Sequence, residues 1–173
     1  MAAGGVAAGG VARIDDQGWF DSGRAVVRPE WIDYNGHMNV GYYLVAFDQA
    51  TEALCAHLGV GEAYRRSADA SMFVVEAHVT YDREVLEAAP LAFRTRIVDH
   101  DAKRLHLLHR MFHAGEGHLA ATNELMCLHV DLAQRRAAPF PDAALLRIAE
   151  LARRHAGPGP TAGAGRSIGI RRR

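Results

Sequence analysis

The sequence predicts an α+β domain in which an antiparallel sheet wraps around one long central helix. Two patterns carry the prediction. From Val40 the residues Tyr43, Leu44, Phe47, Leu54 and Leu58 recur at spacings of three and four, with the half-apolar Thr51 among them. That is one face of a helix. Beyond residue 70 the apolar period changes to two in four successive segments, divided by short polar or glycine-bearing turns. Four such strands and one long apolar helix bury their faces best when the sheet covers the helix.

Each element can be justified in order. "RAVVRPEW" is Val-rich and reads as a first strand. The helix is expected over 40–58, because Asn39 suits the N-cap and Gly59 the residue after the last turn. Residues 59–71 read as a loop. "MFVVEAHVTY" places Phe73, Val75, Ala77, Val79 and Tyr81 on one strand face. "PLAFRTRIVD" alternates Leu91, Phe93, Thr95 and Ile97 with Ala92, Arg94 and Arg96. "RLHLLHRMFH" and "HLAATNELMCLHV" follow across the turns "DHDAK" and "AGEG". Leu145, Ile148 and Leu151 return at helical spacing and predict a second helix packed on the surface. The expected organisation is a loose Gly/Ala-rich segment over 1–15, one domain over 16–141, and a helix with a Gly/Pro-rich tail over 142–173.

Composition narrows the function. The 173 residues suffice for one domain with a core. Twenty Lys and Arg balance twenty Asp and Glu, so the basic excess of a nucleic-acid binder is missing. No apolar run is long enough to span a membrane. Cys55 and Cys127 form no disulfide framework and are expected as buried thiols, which with the weak N-terminal signal character points to the cytoplasm. The sheet leaves an edge, so a homodimer or homotetramer is expected.

The most informative stretch is "PEWIDYNGHMNVGYYLVAFDQATEAL". Asp33, Asn35 and His37 stand just before the long helix. Asx residues and glycine build turns there for structural reasons alone. A helix start also offers unpaired N–H groups and the positive end of its dipole. Thioester hydrolysis needs a base or nucleophile at the carbonyl carbon and donors for the oxyanion. Asp33 can be the first, and the helix amides the second.

The motif "DYNGHMNVGYYLVAFDQA" resembles the signature of acyl-CoA thioesterases of the 4-hydroxybenzoyl-CoA thioesterase-like group, and the layout resembles their hotdog fold. "VTYDREV" and "HVDLAQRRAAPFP" resemble later strands of that group, so the likeness covers about residues 23–141. "EWIDYNGHM" and the tail "GRSIGI" resemble thioesterases linked to carnitine and betaine metabolism. The resemblance implies a catalytic Asp33, with the backbone amides of Val40 or Gly41 as oxyanion donors. Asn35 and His37 match an Asp-x-Asn-x-His form in which both assist. That form also uses an acid after the tyrosine of the next strand, which implies Glu84, with Glu76 as the alternative. The implied partner is an acyl-CoA, and no cofactor is expected.

Further candidates are weaker. Trp31, Tyr34 and Tyr42 could face an acyl group, and a short cationic one such as betainyl would suit aromatic faces. Arg135 and Arg136 could meet CoA phosphates. His109 with His113, and Cys127 with His129, share strand faces, yet no zinc-binding spacing exists, so no metal is expected. Cys55 is a weak nucleophile candidate. The competing readings are a hotdog dehydratase or hydratase, whose proline-bearing motif is absent, and a non-catalytic acyl-CoA-binding protein.

Overall fold

The computed structural model describes residues 14–155 and 163–170. The elements run β1 (Phe20–Val26), a 3-10 turn (Pro29–Trp31), α1 (Val40–Leu58), α2 (Glu62–Ala68), β2 (Ala70–Tyr81), β3 (Pro90–His100), β4 (Arg104–His113), β5 (Leu119–Asp131), β6 (Arg136–Ala137) and α3 (Asp142–His155). The antiparallel sheet has the order β1-β3-β4-β5-β2, and the short β6 pairs with the end of β5. This is the hotdog arrangement expected from the sequence.

Helix α1 has the predicted bounds. Asn39 caps its start by accepting from the Gly41 N–H at 3.0 Å. Gly59 ends it at φ +79, the left-handed region that favours glycine. The Arg147 guanidinium of α3 donates to the Leu58 carbonyl of the last turn at 3.3 Å. Tyr43, Ala46, Phe47 and Ala50 pack on Leu91, Phe93, Met111 and Ala121 of the sheet. The C-terminal half of α1 packs Leu54 and Leu58 against Ile97, Leu107 and Leu125, with Ile148 and Leu151 of α3 closing that cluster. Full burial of a side chain such as Phe47 or Leu54 stabilises the fold by about 2–3 kcal/mol.

Three local expectations are corrected. The first strand starts at Phe20 and stops at Val26, because Pro29 opens the 3-10 turn. The stretch taken for a loop holds α2, a single polar helix with no buried residue. Residues 70–81 do not present one uninterrupted alternation. A bulge between Val74 and Glu76 shifts the register, so Phe73 pairs with Leu128 while Ala77, Val79 and Tyr81 pair with Leu125, Asn123 and Ala121. Phe73 therefore lies on the outer face and the other three on the face toward α1. The second helix, α3, packs on the surface as expected and buries Ala144, Ile148, Leu151 and His155.

The outer face is not wholly polar. Arg96 is buried there with its guanidinium 4.5 Å from the centre of Trp19, and Arg110 flanks the same ring at 4.5 Å. Most of the expected loose N-terminal segment, 1–13, and tail residues 156–162 and 171–173 lie outside the described residues. Asp15 is held, accepting from the Trp19 N–H at 2.8 Å and from Arg94 at 2.6 Å.

Candidate active site

The motif loop is a tight hairpin folded by its own residues. Ile32 and Met38 form an antiparallel bridge. The Asp33 N–H donates to the His37 carbonyl at 3.0 Å, and the Gly36 N–H to the Asp33 carbonyl at 3.0 Å. Gly36 sits at φ +84, where a side chain would be strained. The Asp33 carboxylate accepts the Asn35 N–H on Oδ1 at 2.8 Å, an Asx turn that fixes its direction. Its Oδ2 makes no hydrogen bond among the described residues. The His37 Nδ1 is 4.0 Å from Asp33 Oδ1, beyond hydrogen-bond length but close enough to act as a charge when protonated. The Asp33 side chain is 15% exposed, and Asn35 projects into solvent.

The loop is locked onto the helix start. The Asn39 N–H donates to the Trp31 carbonyl at 2.9 Å, and the Met38 N–H to the Val85 carbonyl at 2.9 Å. At the first turn, the Tyr42 N–H reaches the Asn39 carbonyl at 3.0 Å while the Asn39 side chain takes the Gly41 N–H. The Val40 N–H meets no acceptor among the described residues. Of the two amides implied as oxyanion donors, Val40 is thus unengaged and Gly41 is occupied.

The Met38–Val85 bond brings the loop after β2 beside the motif, and with it Glu84. Burial raises the pKa of the Tyr43 phenol against a lowering hydrogen bond with the Val85 backbone, with Tyr81 and then Glu84 adding smaller upward pushes. Glu76 is placed elsewhere. It pairs with Met126 on the outer face, away from α1. Two residues not singled out for the site complete its wall. The Tyr81 hydroxyl donates to the Val40 carbonyl at 3.2 Å, and the Tyr81 ring meets Tyr43 edge-on at 5.0 Å. The cap residue Asn39 is the other. Both were legible only as structural residues, a strand end and a helix cap.

The aromatics divide by burial. Trp31 is 4% exposed, stacked on Tyr42 at 5.7 Å, with the Arg28 guanidinium 5.3 Å from its centre. Tyr42 is half-buried, and Tyr34 is 97% exposed. Arg135 lies in the turn from β5 to β6, and Arg136 opens β6, paired with Asp131. The Asp33 loop packs through Trp31 and Met38 into the cluster that holds Ala121, and Ala121 lies about 33 Å along β5 from Asp131.

A model of the thioesterase-like superfamily matches residues 27–155. The chain belongs to that family. It is 42% identical over 144 residues to the betainyl-CoA thioesterase of Pseudomonas aeruginosa, covering 83% of this chain and 91% of that one. It is 39% identical over 136 residues to the L-carnitine dehydrogenase/betainyl-CoA thioesterase of Agrobacterium fabrum, covering 79% of this chain but 28% of that longer protein. A Staphylococcus aureus protein solved in complex with CoA superposes with a TM-score of 0.81 at 28% identity, covering 86% of this chain and 94% of that one. The chain is an acyl-CoA thioesterase of the hotdog fold.

Other candidate groups in this thioesterase have different surroundings. Cys55 and Cys127 are buried, and burial pushes both thiols well up, Cys127 to about 12, which removes the thiolate a nucleophile needs. His109 is buried in a hydrogen-bond chain, whereas His113 stacks on His118 at the end of β4. His129 joins Tyr64 at 2.9 Å and the Ala138 carbonyl at 2.9 Å. Among the described residues no group of three or more His, Cys, Asp or Glu side chains could hold a metal. Among the described residues no helix is long and apolar enough to cross a membrane.

Proposed function

We propose that this thioesterase hydrolyses a short cationic acyl-CoA such as betainyl-CoA, with Asp33 as the base or nucleophile and the Val40 amide as the oxyanion donor. One observation carries the catalytic reading: Asp33, held on one oxygen and unengaged on the other, stands on the loop that ends at the unengaged Val40 amide. As nucleophile, Asp33 attacks the thioester carbonyl, the CoA thiolate leaves and takes a proton, and water cleaves the mixed anhydride. As base, it removes the proton from a water that attacks instead. Both routes give free acid and CoA. A donor aimed at the oxyanion contributes about 3–4 kcal/mol to the transition state. Asn39 supports this by capping Gly41 and leaving Val40 open. Asn35 assists through its N–H on the carboxylate, His37 stands 4.0 Å from that carboxylate, and Glu84 is the second acid.

The substrate reading rests on the betainyl-CoA relatives and on the aromatic rings of Tyr34 and Tyr42 near the loop. A homodimer through β2 completes the site. That edge strand exposes Val74, Val75 and Tyr81, and α1 exposes Val40, Leu44 and Val45. Such an edge calls for a partner strand. Antiparallel pairing of two β2 strands would carry the partner's Arg135 and Arg136 toward this subunit's Asp33, where they suit CoA phosphates. Release of free thiol from a panel of acyl-CoAs, followed with a thiol-reactive dye, tests the function. The reading requires betainyl-CoA to lead the panel. An active monomer in light scattering would remove the shared site.

A further inference from the structure

The start of the C-terminal segment 163–170 is anchored on the outer face of the sheet. Gly163 lies against Thr122 of β5. The Gly165 N–H donates to Glu124 Oε2 at 2.7 Å, and the other oxygen of that carboxylate accepts from His106 at 2.7 Å. Gly165 and Arg166 roof a cavity of about 290 Å³ that also touches Glu76 and His78 of β2. The segment is thus anchored one strand from the β2 edge. Past the anchor it carries two large apolar residues with nothing to pack on. Ile168 is 94% exposed and Ile170 is 88% exposed. In an extended strap, residues two apart share one face. Lone exposed apolar residues need no explanation, but two nearly fully exposed isoleucines beside an open sheet edge do.

We propose that residues 166–170 are an intersubunit strap, in which Ile168 and Ile170 pack on the outer sheet face of a second copy of this chain. The inference rests on the β2-paired homodimer proposed above. Strands lie about 4.8 Å apart, so the partner's first strand is about 10 Å from β5. Five extended residues span up to about 16 Å, enough to cross. The receiving surface has the right character, because Phe73 is 43% exposed on the outer face of β2 and pairs with Leu128. The chain's own outer face is not the occupant, since contact with it would have buried the two isoleucines.

The test compares the full chain with the I168D/I170D variant, and with I168S/I170S as a milder pair, by sedimentation over a dilution series. The dimer holds two straps, so four isoleucines lose their burial, and even half-burial predicts a dimer dissociation constant raised about a hundredfold to ten-thousandfold. Circular dichroism and turnover at concentrations that restore the dimer should match the full chain. A full-chain dimer whose dissociation constant neither variant shifts overturns the strap and leaves the dimer standing. A full chain that stays monomeric at high concentration overturns both. Loss of a tetramer to an equally tight dimer would place the isoleucines at a different interface and also overturn the strap.

Discussion

His109 Nε2 stands 3.2 Å from Thr51 Oγ1 and joins the fourth strand to the middle of α1. The hydrogen bonds around this contact fix its direction. The Thr51 hydroxyl donates to the Phe47 carbonyl at 3.2 Å, so it must accept from His109 Nε2–H. His109 Nδ1 then accepts from Thr95 at 2.7 Å, and Thr95 accepts from Ser22 at 2.7 Å. One chain of four bonds runs from β1 through the sheet to the helix, and it requires a neutral imidazole. Burial holds the His109 pKa down to about 3 from the ordinary 6.5.

Stability should therefore fall with acid before the carboxylates titrate. The folded state binds fewer protons than the unfolded state between pH 6.5 and 3, so this contribution is full above about 6.5 and drains as pH falls. His155 acts in the same sense. Burial, then the Arg96 charge, lower its pKa to about 4, and its Nδ1 accepts the Ile97 N–H at 2.9 Å. Urea midpoints should drop from pH 7 to pH 5, and H109Q should flatten that drop in part. At pH 7.5 the variant should itself be about 1–3 kcal/mol less stable, since it disturbs a buried hydrogen-bond chain. A variant with the wild-type pH slope would mean that His109 is not the titrating group.

D33N should lower kcat by a hundredfold or more while thermal stability changes little, because the amide can still cap Asn35 but can neither attack nor accept a proton. Single-turnover reaction in oxygen-18 water tests the two roles of Asp33. Label found in the Asp33 side chain marks the nucleophile; label in the acid alone fits the base or an anhydride that water cuts at the acyl carbon, and trapping of the anhydride with hydroxylamine then decides between them. Turnover by D33N near the wild-type rate would remove Asp33 from catalysis.

R135A/R136A should raise KM for the CoA thioester about tenfold with kcat unchanged, since phosphate contacts lie far from the reacting carbon and favour substrate and transition state alike. A mixed dimer gives the sharper check. One D33N subunit paired with one R135A/R136A subunit retains one site in which an intact Asp33 faces intact partner arginines. That site should keep wild-type KM at half the wild-type kcat. If the raised KM follows the subunit that carries Asp33, the arginines serve their own chain instead.

Much of the fold was legible because the signals were local. The Asn39 cap, the spacing from Tyr43 to Leu58 and Gly59 fix α1 without reference to the sheet. The motif loop was legible as well, because Gly36 and the Asx turn build it from adjacent residues. The hidden features depend on residues far apart in sequence. The stretch forming α2 is polar and buries nothing, so no periodicity marks it. The bulge after Val74 answers to its pairing with β5, and the burial of Arg96 answers to Trp19. The positions of the two candidate acids could not be separated in sequence, because the bulge in β2 and the Met38–Val85 bond, which put Glu76 on the outer face and the Glu84 loop beside the motif, join residues far apart in the chain.

Selectivity for a cationic acyl group should depend on Tyr42 and Tyr34 rather than on Trp31. A quaternary ammonium offers no N–H donor, so aromatic faces are the groups that distinguish it from its neutral isostere. Each such contact gives roughly 0.5–2 kcal/mol. Two of them favour the cation by about tenfold to several hundredfold. Trp31 cannot make a direct contact of this kind with ease, because its ring is buried and has Tyr42 stacked on it and Arg28 beside it. Its role is to hold Tyr42. The measurement is kcat/KM for betainyl-CoA against 3,3-dimethylbutyryl-CoA, which has carbon in place of nitrogen. Y42L and Y34L should each lower the ratio about threefold to thirtyfold, with little effect on the neutral substrate. W31F, which keeps the stack, should preserve the ratio, whereas W31L should lower stability and reduce both substrates together. A wild-type preference for the neutral thioester would end the cation reading and leave the thioesterase intact. A ratio unmoved by Y42L and Y34L would place cation recognition elsewhere, with carboxylates such as Glu84 the next groups to change.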